Sequence, residues 1–205
     1  MNTEKGEVEH YYTRRPKSKP QLGAIRTRLR GHIFEFVTSS GVFSKKRVDL
    51  GTRLLIESMI LPEKGLVLDL GCGYGPVGIV AAALNPSLRV VMTDLNERAV
   101  WLARKNAKLN KVDNTEVRRG LLYDPVENMK FDAILVNPPV SAGKQAILSI
   151  INGAGEHLRE GRLLQLVVSS RIAGSYVLKE LEKTFSNVAV SARKGGYKVL
   201  LSKKP

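Results

Sequence analysis

Apolar residues recur along this chain in two periods, and their alternation predicts a layered α/β fold. A two-residue period marks His32 to Val37 as a strand, and a Ser-Ser-Gly turn then leads to Val42-Phe43-Ser44, as if into a hairpin. A helical period follows from Asp49 to Ile60, with Leu54, Leu55, Ile56, Met59 and Ile60 expected to pack inward, and Pro62 and Gly65 end it. Short apolar runs at Leu66–Leu70, Leu88–Thr93, Thr115–Arg119, Phe131–Val136 and Leu163–Val168 have strand length. Helical patterns separate them. Pro76 opens one that runs to about Leu84, Asn96 can cap another that runs to about Leu109, and Lys144–Leu158 carries an apolar stripe of Ile147, Ile150, Ile151, Ala154 and Leu158. A helix over Ala173–Phe185 precedes a terminal hairpin of Val188–Ser191 and Tyr197–Ser202. Strands that alternate with helices predict a mostly parallel sheet covered on both faces, and a hairpin with no crossover helix makes its last strand antiparallel.

Two loops on this frame carry candidate chemistry. After the first central strand the chain reads Asp69-Leu-Gly71-Cys72-Gly73-Tyr-Gly75-Pro76, then enters a helix. Glycines at that junction permit a tight turn and let the backbone approach a ligand. The next strand ends in Asp94, placed to hold a pair of ribose hydroxyls. After Phe131–Val136 comes Asn137-Pro138-Pro139-Val140. Each proline ring fixes its own φ and removes an N–H, and the residue before a proline is pushed out of helical geometry. The Asn137 side chain and nearby carbonyls are thereby held as acceptors, a geometry suited to gripping an –NH2 group.

The 205-residue chain is long enough for one full domain, with 43% hydrophobic residues. A net charge of +14 is the footprint of a nucleic-acid binder. Ten Lys or Arg residues lie between Arg14 and Arg47 against the single acid Glu35, with Pro16, Pro20 and Gly23 interrupting them, so residues 1–31 are expected to form a basic arm and residues 32–205 the folded domain. Tyr11 and Tyr12 add stacking surface to that arm. The single cysteine, Cys72, excludes an internal disulfide and sits in the glycine loop as part of a ligand cradle, not as a nucleophile. The sequence shows neither a signal peptide nor 18 consecutive apolar residues, so a cytoplasmic protein without a membrane span is expected. His10, His32 and His157 have no partners at metal-ligand spacing, and no metal site is expected.

Asp69-x-Gly-x-Gly-x-Gly, Asp94 and Asn137-Pro-Pro-Val together resemble a class I S-adenosylmethionine-dependent methyltransferase acting on an exocyclic amine. Gly41-Val-Phe-Ser, Asp49-Leu-Gly-Thr and Lys194-Gly-Gly-Tyr-Lys-Val-Leu narrow the resemblance to the small-domain family of ribosomal RNA guanine-N2 methyltransferases and their single-domain archaeal relatives. It covers roughly residues 32–205 and implies a Rossmann-like methyltransferase fold, a seven-stranded sheet with an antiparallel last strand. It further implies that Gly71, Gly73 and Gly75 line the methionine and ribose portion of S-adenosylmethionine and that Asp69 orients their loop or meets the cofactor amino group. Asp94 would accept both ribose hydroxyls, Leu95 would pack on adenine, and Phe43 and Thr52 would lie over cofactor and target base. The family commonly places an acidic residue after the third strand to meet the adenine amine. This chain has Leu121 there, which leaves either Asp124 reaching back or adenine held by backbone and packing.

In this reading Asn137 and the Pro138 carbonyl, set by Pro139, bind the two amino hydrogens and aim the nitrogen lone pair at a sulfonium methyl. Acceleration then comes from positioning and a preorganised polar site. Val140 stands where many amine methyltransferases carry Tyr or Phe, so Phe43 and Tyr197 are the candidates to stack on the flipped base. Arg193, Lys194, Lys198 and the basic arm would meet phosphates. The expected substrate is RNA, most readily ribosomal RNA at guanine N2 or cytosine N4, with a monomer favoured. Protein-glutamine methylation is an alternative, as is a non-catalytic basic RNA-binding protein that keeps the fold.

Overall fold

In the computed structural model the described residues are Lys19, 21–139, 143–170 and 175–205. Hairpin strands β1 (Leu22–Leu29) and β2 (His32–Ser39) come first, followed by α1 (Leu50–Ser58), β3 (Gly65–Leu70) and α2 (Pro76–Leu84). The chain continues through β4 (Leu88–Asp94), α3 (Glu97–Leu109), β5 (Thr115–Arg119) and β6 (Phe131–Val136). It closes with α4 (Gly143–His157), β7 (Leu158–Ser169), α5 (Ser175–Phe185), β8 (Ala189–Lys194) and β9 (Tyr197–Lys203).

Strands β3 to β9 form one seven-stranded sheet in the order β5-β4-β3-β6-β7-β9-β8. Neighbours from β5 to β7 are parallel, whereas β9 runs antiparallel to both β7 and β8. The turn between β8 and β9 is Gly195-Gly196, with φ of 53° and 78°, the left-handed pair that a tight hairpin needs. This is the architecture expected from the sequence.

Each central strand divides its side chains between two cores. Val67, Val90, Met92, Ala133 and Leu135 face one, with Ile79, Leu102 and Phe36. Leu68, Val91, Ile134 and Val136 face the other, with Ile150, Ile151, Val177 and Phe185. The two-residue strand period therefore buries both faces of the sheet, which is why these strands read as nearly continuous apolar runs.

Three boundaries differ from the sequence reading. First, β2 pairs with Leu22–Leu29 around an Arg30-Gly31 turn, not with Val42–Ser44. Only Ile25 and Leu29 of β1 are buried, and its exposed arginines give it the composition of an arm. The line drawn between residues 31 and 32 thus falls at a hairpin turn. Residues 1–18 and Pro20, with Tyr11 and Tyr12, lie outside the described residues. Second, α1 stops at Ser58, Met59 is extended, and Ile60 is half exposed. The Ile60 backbone instead pairs with the buried Gln165 side chain through both its N–H (2.9 Å) and its C=O (2.6 Å). Third, β7 begins at Leu158, with its pairing to β6 shifted between Phe131 and Ala133. The expected start of α5 at Ala173 lies outside the described residues.

The hairpin is held by two asparagines one helical turn apart on α3. Asn106 accepts from Val37 N–H (2.7 Å) and donates to the carbonyls of Val37 and Tyr74 (both 2.9 Å). Asn110 accepts from Glu35 N–H (3.1 Å) and donates to its carbonyl (2.7 Å). Two side-chain amides thus act as a substitute strand edge for β2.

Candidate active site

Parallel register sets the site. Leu70 pairs with Thr93 on one side and with Val136 on the other, so Gly71, Asp94 and Asn137 are the next residues on three adjacent strands. The crevice where strand order reverses is the usual ligand position in an open α/β sheet. A cavity of about 370 Å³ occupies it, within the size range of small-ligand sites.

One end of the cavity is the glycine loop. Gly71 and Gly73 have φ of 74° and 58°, and a Cβ added to either would meet nothing within 4 Å, which leaves the backbone open to a ligand. Their loop hangs from β4: the N–H groups of Gly71 and Cys72 both donate to the Thr93 carbonyl at 2.9 Å. The Asp94 carboxylate accepts from Gly73 N–H and Asn96 N–H, both at 2.8 Å, tying the loop to the start of α3. Asp69 Oδ2 accepts from Gly78 N–H at 2.8 Å, so one free amide of the α2 amino terminus is already taken by the protein's own carboxylate. Burial pushes the Asp69 carboxyl up to about 7 and raises Asp94 as well. Cys72 lines the cavity, and burial followed by the nearby carboxylates raises its thiol, which suits a cradle and not a nucleophile. Gly75 caps α2 with φ of 92°, faces Ile79 and Ala103, and does not line the cavity. Its glycine serves helix packing.

The other end is built around Asn137, Pro138 and Pro139. Asn137 Nδ2 donates to Thr52 Oγ1 at 2.7 Å. Asp49 caps α1 by accepting from Thr52 N–H at 3.1 Å, and the same residue lines the cavity. Phe43 lines this cavity and a narrow second cleft on the far side of the Asn137–Pro139 loop. Tyr197 lines only that second cleft, its ring against Gly51, where an added Cβ would sit 3.1 Å from it. Arg193 and Lys194 are exposed on β8 and line neither cavity. Val140 lies outside the described residues.

Leu95 lines the cavity, as do Leu121 and Leu122. Asp124 does not: it starts a short 3-10 turn and is exposed. The cavity wall at this end is therefore leucine side chains, without the Asp124 carboxylate. Sequence reasoning missed two lining residues, Tyr74 and Thr93, whose hydroxyls are buried with no hydrogen-bond partner among the described residues. Both stand next to motif residues, and that adjacency was the available signal.

The chemistry of the wall is selective. Among the described residues Asp49, Asp69 and Asp94 line the cavity and no Lys or Arg does, although the protein carries a net charge of +14. Such a site favours a cationic ligand with an apolar surface over a pyrophosphate-bearing dinucleotide. Among the described residues, no cluster of His, Cys, Asp and Glu could hold a metal, and no helix is long and apolar enough to cross a membrane.

This sheet order, with its glycine loop, carboxylate-ended second strand and Asn-Pro-Pro fourth strand, defines a methyltransferase-type site. Residues 33–201 match the methyltransferase small domain family, and the chain belongs to it. It is 39% identical over 198 residues to the uncharacterized protein YbxB of Bacillus subtilis, covering 96% of this chain and 98% of that one, so a relative of matching length is bacterial. It is 34% identical over 163 residues to ribosomal RNA small subunit methyltransferase C of Haemophilus influenzae, covering 78% of this chain but 48% of that protein. The structure of Thermus thermophilus 16S rRNA N2 G1207 methyltransferase in complex with AdoMet and guanosine superposes with a TM-score of 0.81 at 25% identity, over 93% of this chain and 52% of that one. The chain thus spans about half the length of these ribosomal RNA methyltransferases. The cofactor of the family is S-adenosylmethionine, a sulfonium with an ammonium group, and the acidic cavity and its open glycines fit it.

Proposed function

We propose that this domain methylates an exocyclic amine of a base in RNA, namely guanine N2 of ribosomal RNA. The observation that carries this reading is the Asn137 amide: with its nitrogen committed to Thr52, its oxygen is the free end at the cavity, an acceptor beside a site built for a cation. Support comes from the Thermus enzyme, whose structure is a complex with AdoMet and guanosine.

When bound, S-adenosylmethionine supplies an electrophilic methyl group. Asp94 holds the ribose hydroxyls, Leu95 and Leu121 pack on adenine, and the Gly71–Gly73 backbone carries the methionine portion. Asn137 Oδ1 and the Pro138 carbonyl accept the two amine hydrogens, which favours a pyramidal nitrogen with its lone pair directed into the cavity. Phe43, which lines the cavity at its Asn137 end, is the candidate to stack on the base after it leaves its helix. Positioning supplies most of the acceleration, and the proton can leave after transfer, so the site needs no strong base. Arg193, Lys194, Lys198 and the basic amino-terminal residues 1–31 meet phosphates, with residues 32–205 as the catalytic unit. An RNA substrate of this kind places the protein in the cytoplasm.

The test is incubation with labelled S-adenosylmethionine and ribosomal RNA from a strain lacking the gene, followed by nucleoside mass analysis. N2-methylguanosine is expected. Label in N4-methylcytosine would move the target base, and label in protein alone would overturn the RNA reading.

A further inference from the structure

We infer that the outer face of α3, centred on Trp101, is a docking surface for RNA separate from the cavity. The inference shares the RNA substrate of the proposed function, but its test reads binding and not methyl transfer.

The inner face of α3 belongs to the fold. Ala99, Leu102, Ala103, Asn106 and Ala107 are buried, and Asn106 and Asn110 hold strand β2. At about 100° per residue, Trp101, Arg104, Lys105 and Lys108 fall together on the opposite face, and all four are exposed. From Arg98 to Lys111 the sequence carries five Lys or Arg residues and no Asp or Glu. The one acid of α3, Glu97 in its first turn, is paired with Arg119 at 3.2 Å. Arg104, Lys105 and Lys108 make no ion pair among the described residues. Helix α5 is balanced by contrast: Lys179 and Lys183 alternate with Glu180 and Glu182, and Lys183 pairs with Glu180 at 3.4 Å.

A cation in the last turn, such as Lys108, answers the helix dipole. Arg104 and Lys105 lie earlier in the helix, and no dipole argument places an indole in water. Trp101 is the chain's one tryptophan and is 48% exposed, with Lys105 Nζ 5.1 Å from its ring centroid. Arg104 donates to the Val117 carbonyl at 2.8 Å, which fixes its guanidinium beside β5. An exposed indole among cations offers what unpaired RNA needs, a π-face for a base and charges for its phosphates. Charge selects a polyanion, and the aromatic ring selects one that carries bases. The large apolar side chains exposed on this helix are Trp101 and Leu109, too little surface to seat it in a bilayer. Helix α3 packs beside β4 and β5, at the opposite edge of the sheet from β8 with Arg193 and Lys194, so the two basic surfaces can be tested apart.

Trp101 is its own probe, because all tryptophan emission comes from it. A short dye-labelled RNA stem-loop with an unpaired loop is titrated against the full chain, reading tryptophan emission and RNA anisotropy together. RNA is expected to quench the emission with the Kd that anisotropy gives. Trp101→Leu should raise that Kd about tenfold, the scale of one stacked base, whereas Trp101→Phe should stay within about threefold of wild type. Lys105→Ala/Lys108→Ala should flatten the slope of log Kd against log salt by about 1.4, the effect of two lost phosphate contacts on a single strand. Affinity for S-adenosylhomocysteine and kcat should stay within about twofold in every variant, with KM for RNA rising. RNA that binds without quenching Trp101, or that binds Trp101→Leu as tightly as wild type, overturns the surface and leaves the proposed function standing. Quenching by polyglutamate or phosphatidylserine vesicles as strong as by RNA overturns the choice of partner. Absence of RNA binding in both readouts also overturns the surface. A chain that shows the quenching and the variant effects but methylates no RNA keeps this surface and loses the proposed function.

Discussion

The two ends of the cavity are built in different ways. The glycine-loop end comes from one contiguous stretch, residues 69–96, and is held mainly by backbone: amides of Gly71, Cys72 and Gly73 go to the Thr93 carbonyl and the Asp94 carboxylate. The Asn-Pro-Pro end is assembled from separate segments, with Phe43, Thr52, Asn137 and Tyr197 meeting across long stretches of chain, and its key contact joins residues 85 apart. Backbone-built cradles tolerate many neighbours and recur wherever the same cofactor is bound. Side-chain assemblies set what is done with it.

That contrast yields predictions in descending size. The largest concerns the acceptor end: Asn137→Ala should lower methyl transfer by about 100-fold, the scale of losing one preorganised hydrogen-bonding group, while S-adenosylhomocysteine binding stays within twofold. Comparable losses in both would erase the division between the two ends. At the cradle end the pattern should invert. Asp94→Ala removes a carboxylate that holds the loop and faces the cavity, and calorimetry should show binding weaker by about 1–3 kcal/mol, with RNA affinity unchanged. Unaltered cofactor affinity would place the ribose elsewhere.

A subtler effect comes from Asp69. Its folded-state carboxyl is raised from 3.8 to about 7 by burial, so between those values the folded protein keeps a proton that the unfolded chain has lost. Stability therefore falls as pH rises from about 4 through about 7 and levels off above. Asp69→Asn should remove that decline, giving a higher Tm than wild type at pH 8 and a gap that closes toward pH 4, by about 2–4 °C for each kcal/mol relieved. A gap that widens on acidification would show that the carboxylate is stabilised when ionised. The smallest effect is expected at Gly51→Ala. The added methyl would press on the Tyr197 ring, and KM for RNA should rise about threefold with cofactor affinity constant. Since 1.4 kcal/mol is tenfold, this corresponds to well under 1 kcal/mol. A change in cofactor affinity instead would move Tyr197 to the other end of the site.

The same contrast explains what the sequence revealed. Gly71, Gly73 and Asp94 were legible because a turn, a close backbone approach and a strand-end carboxylate are local requirements written within 25 residues. Gly75 differs from them: its left-handed conformation serves helix packing against Ile79 and Ala103 outside the cavity wall, and glycine spacing does not distinguish the two uses. Asn137 was legible through its prolines, but its partner was not, since no local pattern links a helix first turn to a strand tip 85 residues on. Thr52 was found by resemblance, and it lines the cavity. Strand β1 was hidden for another reason: with two buried residues in eight and arginines between them, it carries the composition of an arm while its backbone pairs fully with β2.

The most direct test of the account is one distance. In a crystal structure with S-adenosylhomocysteine and guanosine, Asn137 Oδ1 should lie within hydrogen-bond range, about 2.7–3.2 Å, of guanine N2, with Nδ2 still on Thr52. An Asn137 side chain turned away from guanine, or a guanine bound with its N2 remote from the cofactor sulfur, would contradict it.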